Sequence, residues 1–519
     1  MAAVFGFDSI DVIVLGLALL LAAIVAARNA LLSIASWLAG RRLLCFVSLG
    51  VLPVVLRLAL LPHHPVPTPQ VADDFSYLLL GDTLARFRLA NPAHPMHRFF
   101  EGVFILQEPS YSSIYPLGQG LVLAFGQLVF HLPWAGVALS DGLLCALCYW
   151  MLRGWTTPQW SLAGGLLAAI AFGPLSSWMN TYWGGAVSGI AGCLVFGAAA
   201  RLKSTPRARD AILLGAGLGL ELLTRPFEFV LLSGVVLLFF LPRRSLGIAS
   251  LALLPAIGLM LMQNKAVTGG WTTLPYQLSR YQYGIPTTFT FQPNPVPHRA
   301  LTAEQQVDYS AQTEAHDIAA QSYVAELARQ LRFYRFFFVA PVLLALPFFI
   351  TALRQYRFTW VALTLAVFGL GEAFYPFFYP HYIAAETCLF LLAAVVALQK
   401  MSRFSQDAVL FILTICLGHF IYWYAIHPEN ALETASSGRA TVEERLNSEP
   451  GRQLVFVHHS ATRSAGEWVQ NGADIDSAKI VWAVDLGSEA DVALRHYYPD
   501  RQAWLLEADT RPPRLSAIR

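Results

Sequence analysis

The chain has 519 residues, of which 56% are hydrophobic and only 13% charged, and its formal net charge is +2. Soluble domains carry about 25% charged residues, so this composition excludes an ordinary water-soluble enzyme. The near-neutral balance gives no reason to expect a nucleic-acid partner, and the fold class it predicts is a polytopic α-helical membrane protein.

Apolar runs near the roughly 20 residues needed to cross a bilayer predict twelve spans, at 8–27, 43–61, 134–152, 160–178, 184–200, 211–225, 227–241, 245–263, 336–353, 358–376, 382–398 and 407–426. Residues 1–7 carry no basic stretch and no small-residue cleavage site follows the first run, so the first span is expected to remain. Basic clusters at Arg28/Arg41/Arg42, Arg153, Arg201 to Arg209, Arg243/Arg244, Arg354/Arg357 and Lys400/Arg403 alternate with loops of the other kind. Cytoplasmic loops are enriched in Lys and Arg, and placing all six clusters inside puts 62–133, 264–335 and the tail after Trp423 on the outer face. Residues 116–131 are apolar too, but a crossing there would invert every later loop. They are expected to form a helix lying at the membrane surface.

Residues 1–427 thus read as the transmembrane domain. From 428 to 519 charged and polar residues return, and the runs 454–457, 480–484 and 503–506 predict short buried strands. With a helix expected over Ser488 to Tyr498, this tail reads as a small α/β domain with a partly parallel sheet. His458-His459, at the end of the first strand, have no acidic or cysteine partner nearby in sequence and are expected to be solvated. The six cysteines, Cys45, Cys145, Cys148, Cys193, Cys388 and Cys416, all lie in apolar stretches and read as small hydrophobes. Cys145 and Cys148 lack the second ligand pair that a zinc site needs, and no disulfide framework is expected.

Asp73-Asp74 follow directly on the second span, where acid is costly. If 73–89 continues as a helix, Asp73 and Tyr77 share a face at i and i+4. Adjacent carboxylates raise each other's cost of ionisation, which pushes one of them toward the basicity of a general base. The same pair equally suits a helix N-cap with a first-turn acid. Glu221 and Glu372 sit inside apolar runs and raise a transport or structural question.

Asp73-Asp74-x-x-Tyr77, Leu89-Ala90-Asn91-Pro92-Ala93-His94-Pro95 and Tyr111-Ser112-Ser113-Ile114-Tyr115-Pro116 together resemble the first outer loop of the C-type integral-membrane glycosyltransferases. That superfamily includes the protein O-mannosyltransferases and the enzymes that put aminoarabinose on lipid A. The stretches 178–185, Thr224-Arg225-Pro226-Phe227-Glu228 and 281–286 are similar to a bacterial subgroup of it whose acceptors are mostly uncharacterised. The similarity runs through nearly the whole chain.

The resemblance implies a polyprenyl-phosphate-linked sugar as donor and transfer on the outer face of the inner membrane, with the tail in the periplasm. The acceptor would be a lipid, a polysaccharide or a protein hydroxyl. Carried over by motif position, Asp73 takes the acceptor's proton, Asp74 orients it or holds the acceptor, and Tyr77 and Tyr115 line the substrate site. The oxygen would attack opposite the departing phosphate, so inversion is expected and cations must stabilise the phosphate's growing charge. Arg225, Arg280 and Arg299 are the candidates, although Arg225 also reads as a snorkelling anchor. His381-Tyr382 either bond the phosphate or sit as interface aromatics. Trp178, Tyr182, Trp183, Tyr276, Tyr281 and Tyr283 read as an aromatic belt, with stacking on a sugar as the alternative.

Relatives often carry a lysine before the Tyr-Pro step, where this chain has Ile114, so that cation is missing. No cofactor is expected. A metal is not expected either: adjacent carboxylates can hold a divalent ion, but 62–133 offers no acidic cluster beyond Asp82, Glu101 and Glu108. The alternative classes are a lipid or sugar-lipid transporter or flippase, and a scaffold that presents its tail. A transferase should bring Asp73, Arg225, Arg280 and His381 to one outward-facing cavity with a lateral opening to lipid, whereas a transporter should line a path that reaches both sides.

Overall fold

The computed structural model of the chain describes residues 9–426, 438–459, 467–510 and 512–518. Helices α1 (Ser9–Ala26) and α2 (Arg28–Ala39) are bent by 64° relative to each other, and α3 (Arg42–Ala59) leads into the first long loop. That loop holds α4 (Ala72–Ala85), a small sheet of β1 (Asn91–Pro92), β2 (Ile105–Leu106) and β3 (Ser110–Ser113) in the order β1-β3-β2, and α5 (Leu117–Phe130). Next come α6 (Pro133–Leu152), α7 (Pro158–Phe172), α8 (Ala186–Ser204), α9 (Ala208–Leu222), α10 (Pro226–Leu237) and α11 (Arg243–Thr268). The second long loop contains α12 (Pro275–Tyr283), α13 (Ala303–Gln321) and α14 (Tyr323–Leu331). The helical part ends with α15 (Tyr356–Glu372), α16 (Thr387–Met401) and α17 (Gln406–Ile426).

Among the described residues, α3, α6, α8, α11 and the run Pro380–Met401 are each long and apolar enough to cross a bilayer, and the bent α1–α2 pair makes a sixth. Helices α5, α7 and α10 are apolar but shorter. Leu43 on α3 is 75% exposed and Leu251 on α11 67% exposed. Long apolar helices that leave such side chains uncovered need a lipid environment.

The helices depart from the expected spans in ways that trace to particular residues. Helix α7 ends at Phe172, before Pro174, so the expected run to 178 finishes as a 3-10 turn over Ser177–Met179. The stretch 336–353 is not one helix but part of a succession of 3-10 turns, Arg332–Phe337, Ala340–Leu344 and Leu346–Ala352. Pro341 and Pro347 each lack an amide donor, which interrupts an α-helical ladder, while Val342, Ala345 and Ala352 still pack in the main core. Helix α2 lies outside the expected spans altogether.

The described part of the tail contains α18 (Arg439–Ser448), β4 (Arg452–His458), β5 (Ile480–Val484), α19 (Ser488–Tyr497), β6 (Arg501–Glu507) and β7 (Arg514–Ala517). The boundary expected at 427/428 lies outside the described residues. The strands run in the order β5-β4-β6-β7, with β4 parallel to both neighbours and β7 antiparallel to β6. Alternate side chains of β4 bury opposite faces. Leu454 and Phe456 pack with Leu79, Phe99, Phe100, Ile105 and Tyr111 of the first long loop. Val455 and Val457 pack with Trp482, Trp504 and the α18 residues Val442 and Leu446. Strands buried on both faces read as continuous apolar runs, as these do. The two histidines after β4 are not merely solvated: His458 Nδ1 lies 2.7 Å from Asp485 Oδ2, and His459 Nε2 lies 2.8 Å from Glu304 Oε1. Those acids are 27 and 155 residues away in sequence, beyond the reach of spacing rules.

Candidate active site

The site begins at the N-terminus of α4. Val71 is the extended N-cap residue, so Asp73 and Asp74 both fall in the first turn, where carboxylates favour the helix dipole. A 100° step between neighbours on a helix sends them to different surroundings. Asp73 lines a cavity of about 720 Å³, as does Tyr77 four residues on. Asp74 does not line it; its carboxylate accepts the backbone N–H of Tyr182 at 2.9 Å and of Gln70 at 3.1 Å. Asp74, expected to orient Asp73 or hold the acceptor, thus stands behind the lining rather than in it. Asp74 ties the start of α4 to the loop after α7.

That loop is itself braced. Buried Arg57, near the end of α3, donates from Nε to Asn180 Oδ1 at 2.8 Å and from its two terminal nitrogens to the carbonyls of His64 and Pro65, each at 2.8 Å. Asn180 in turn donates to the carbonyls of Pro174 and Ser176. The brace carries Trp183 to the cavity wall, with its ring centroid 4.5 Å from that of His381.

Tyr115 stacks on Tyr77 with centroids 4.1 Å apart, and its hydroxyl donates a short hydrogen bond to Asp73 Oδ1. Gln263 of α11 holds the Tyr115 carbonyl at 2.8 Å. The start of α5 is pressed against the α9–α10 break by a close approach at Gly118, whose N–H donates to the Leu223 carbonyl at 2.6 Å. A Cβ at Gly118 would lie 2.1 Å from Thr224 Oγ1, so no larger residue lets the two chains meet this closely. The break is set by Pro226, which starts α10 and leaves Arg225 as its N-cap residue.

Arg225 lines the cavity, with its guanidinium 4.6 Å above the Tyr382 ring and Nη1 3.1 Å from Glu228 Oε1. Arg280, on α12, also lines the cavity. That helix ends at Gly284 with φ of 73°, and the reversed chain brings the carbonyls of Pro286 and Thr287 back onto Arg280, which donates to them at 3.0 and 2.8 Å. His381 and Tyr382 complete the wall, their rings stacked at 4.7 Å. His381 Nδ1 is buried with no hydrogen-bond partner among the described residues.

Seven of the expected site residues, Asp73, Tyr77, Tyr115, Arg225, Arg280, His381 and Tyr382, thus face one space, drawn from stretches more than 300 residues apart in sequence. Arg299 does not: it pairs with Glu108 at 2.7 Å outside the lining. Of the aromatics read as a belt, Trp183 and Tyr276 line the cavity, Trp178 is buried in the main core and Tyr281 stacks on His298. Glu228, Glu372 and Tyr375 also line it and were not expected there. Glu228 had a sequence signal, its i+3 spacing from Arg225 on a helix; Tyr375 had none. Ile114, at the position of the missing lysine, is a buried part of the lining.

Burial raises the Asp73 carboxyl above the ordinary aspartate value, offset in part by the Tyr115 hydroxyl and the Arg225 cation. Burial also pushes Asp74 up to about 6, against the two backbone N–H groups that favour its ionised form. The arrangement can take a proton at Asp73 and offer an anion the guanidinium of Arg280, while Arg225 is paired with Glu228.

No protein-family model and no curated protein matches the sequence. Among solved structures, the chain is similar to ArnT from Cupriavidus metallidurans in the apo state, with 12% identity and a TM-score of 0.49 over 89% of this chain and 92% of that one. It is also similar to the oligosaccharyltransferase AglB from Archaeoglobus fulgidus in complex with an inhibitory peptide and a dolichol-phosphate, with 12% identity and a TM-score of 0.42 over 80% of this chain and 62% of that one. The apo form of the Archaeoglobus fulgidus oligosaccharyltransferase gives 13% identity and a TM-score of 0.40 over the same shares.

Proposed function

We propose that the chain is an inverting membrane glycosyltransferase that moves a sugar from a polyprenyl-phosphate donor to an acceptor hydroxyl at the outer face of the inner membrane. In this reading the chain crosses the membrane twelve times and its C-terminal α/β domain sits in the periplasm. The observation that carries it is the meeting of Asp73, Arg225, Arg280 and His381 on one cavity, since Asp73 is the base by motif position and the other three are the outer-side candidates for holding the phosphate. Asp73 is the base, held by Tyr115 so that one carboxylate oxygen remains for the acceptor hydroxyl. Arg280 supplies the cation that Ile114 does not. Arg225, Tyr382 and His381 form the opposite wall, and Tyr77 stacks beneath Tyr115 to fix its hydroxyl. No metal takes part.

A transporter is the second reading, favoured by buried Glu221 and Glu372 on apolar helices. Purified protein in vesicles, supplied with polyprenyl phosphates carrying a labelled sugar, separates the two. Transfer of label to an acceptor, unaffected by a chelator, is the expected result. Label that crosses the bilayer still attached to its lipid, with no glycoside formed, would replace the transferase reading with the transporter.

A further inference from the structure

Two arginines and four carboxylic residues, Asp73, Glu228, Asp308 and Glu372, line the cavity. This is an unexpected balance for a site that receives a phosphate. Arg225 is already matched: Glu228 lies at 3.1 Å, and the two side chains are only 14% and 6% exposed. Arg280 is not matched. Its hydrogen bonds go to the carbonyls of Pro286 and Thr287, and no carboxylate of the described residues lies within ion-pair distance of it. An incoming phosphate therefore meets one uncompensated cation rather than two.

We infer that Glu228 is a specificity-determining residue: by neutralising Arg225 it matches the cavity to the single charge of a lipid phosphodiester and sets it against a doubly charged phosphomonoester. The inference rests on the glycosyl-transfer reading, because those two groups are its donor and its product. In the transfer step the acceptor oxygen bonds to the anomeric carbon, and the bond from that carbon to the phosphate oxygen breaks with its electron pair left on the phosphate. The hydroxyl proton passes to Asp73. The carrier phosphate thereby goes from one negative charge to two while Asp73 loses its own. The new charge develops beside Glu228, with no second free cation to meet it. Like charges a few ångströms apart in a poorly solvated site weaken binding by about tenfold or more, so the carboxylate favours departure of the spent carrier. The Tyr382 ring over Arg225 keeps that arginine in place when the carboxylate is removed.

The test is displacement of a fluorescent polyprenyl phosphodiester from the full-length protein at pH 8 by two competitors, polyprenyl monophosphate and its methyl ester. The wild type should prefer the methyl ester by about tenfold. In Glu228→Gln the monophosphate should gain about tenfold while the methyl ester changes much less, and Glu228→Asp should behave as the wild type. Equal changes for both competitors in Glu228→Gln, or a wild type that binds the monophosphate as tightly as the ester, would overturn the inference. The wild-type comparison stands even if the variant does not fold. A wild type that binds no phosphodiester at all would instead sink the donor reading, so the two failures are distinct.

Discussion

Asp73 and Asp74 share a turn of helix and differ in everything else. Asp73 faces the cavity and is held there by Tyr115, whereas Asp74 bonds the backbone of Gln70 and Tyr182. The second has a consequence for stability. Its carboxyl is raised from 3.8 to about 6 by burial, so the fold favours the neutral acid. A group raised in this direction contributes stability that is complete below its unfolded value and is lost as the pH climbs through its folded one. One pKa unit is about 1.4 kcal/mol, so the loss amounts to roughly 3 kcal/mol by the time Asp74 is fully ionised. Thermal unfolding of the purified protein should show a fall between about pH 4 and pH 6, from the unfolded value to the folded one, which is smaller in Asp74→Asn, a side chain that does not titrate. Parallel curves for the two proteins would remove Asp74 as the cause. The i, i+4 relation of Asp73 and Tyr77 could be read from the sequence. That Asp74 turns away could not, because its partner Tyr182 is 108 residues distant.

At the scale of elements, α4 has two working faces. Asp73 and Tyr77 look into the cavity, while Phe75, Leu79 and Asp82 meet the C-terminal unit. Arg439 sits 4.6 Å over the Phe75 ring, Leu79 joins the core beneath β4, and Asp82 Oδ2 accepts the Ala473 N–H at 2.7 Å. Tyr111 donates to the Asn471 carbonyl at 2.9 Å, and His94 Nε2 lies 3.0 Å from Asp476 Oδ1 in the same seam. His94 Nδ1 accepts the Met96 N–H, which leaves the proton on Nε2, directed at the aspartate. The tail is thus a brace for the helix that carries Asp73. Asp82→Ala removes a side-chain acceptor of the Ala473 N–H, worth about 1 kcal/mol. It should lower kcat by about tenfold or more with little change in KM, because misplacement of the base costs turnover before binding. Asp82→Asn, which keeps an acceptor oxygen, should recover most of it, and full turnover in Asp82→Ala would detach the tail from catalysis. The strands of the tail were legible from hydropathy. Their shared core with the first long loop was not, since Phe99, Phe100 and Ile105 lie some 350 residues away from β4 in sequence. The 3-10 stretch from Arg332 to Ala352 shows the opposite case, where hydropathy marked the apolar run and two prolines decided its local backbone.

Over the whole molecule, apolar helices supply the frame, and two long loops with the breaks between helices supply the cavity lining. The α9–α10 break presents Arg225, the start of α4 Asp73 and Tyr77, the step into α5 Tyr115 and α12 Arg280, and the frame brings them to one cavity. Composition and hydropathy were enough to read the frame as membrane-embedded and helical, and the short motifs marked most of the cavity residues. The pairing of Arg225 with Glu228 and the isolation of Arg280 required the packed structure, because each depends on which backbone carbonyls and carboxylates lie within reach. The decisive measurement is the rate of labelled-sugar transfer from polyprenyl-phosphate donors by purified wild type beside Asp73→Asn, with donor binding measured in both. A base at Asp73 predicts that the variant binds donor as the wild type does but transfers about 10²- to 10⁴-fold more slowly. Equal transfer rates in the two proteins would contradict the assignment of this cavity as the seat of the reaction.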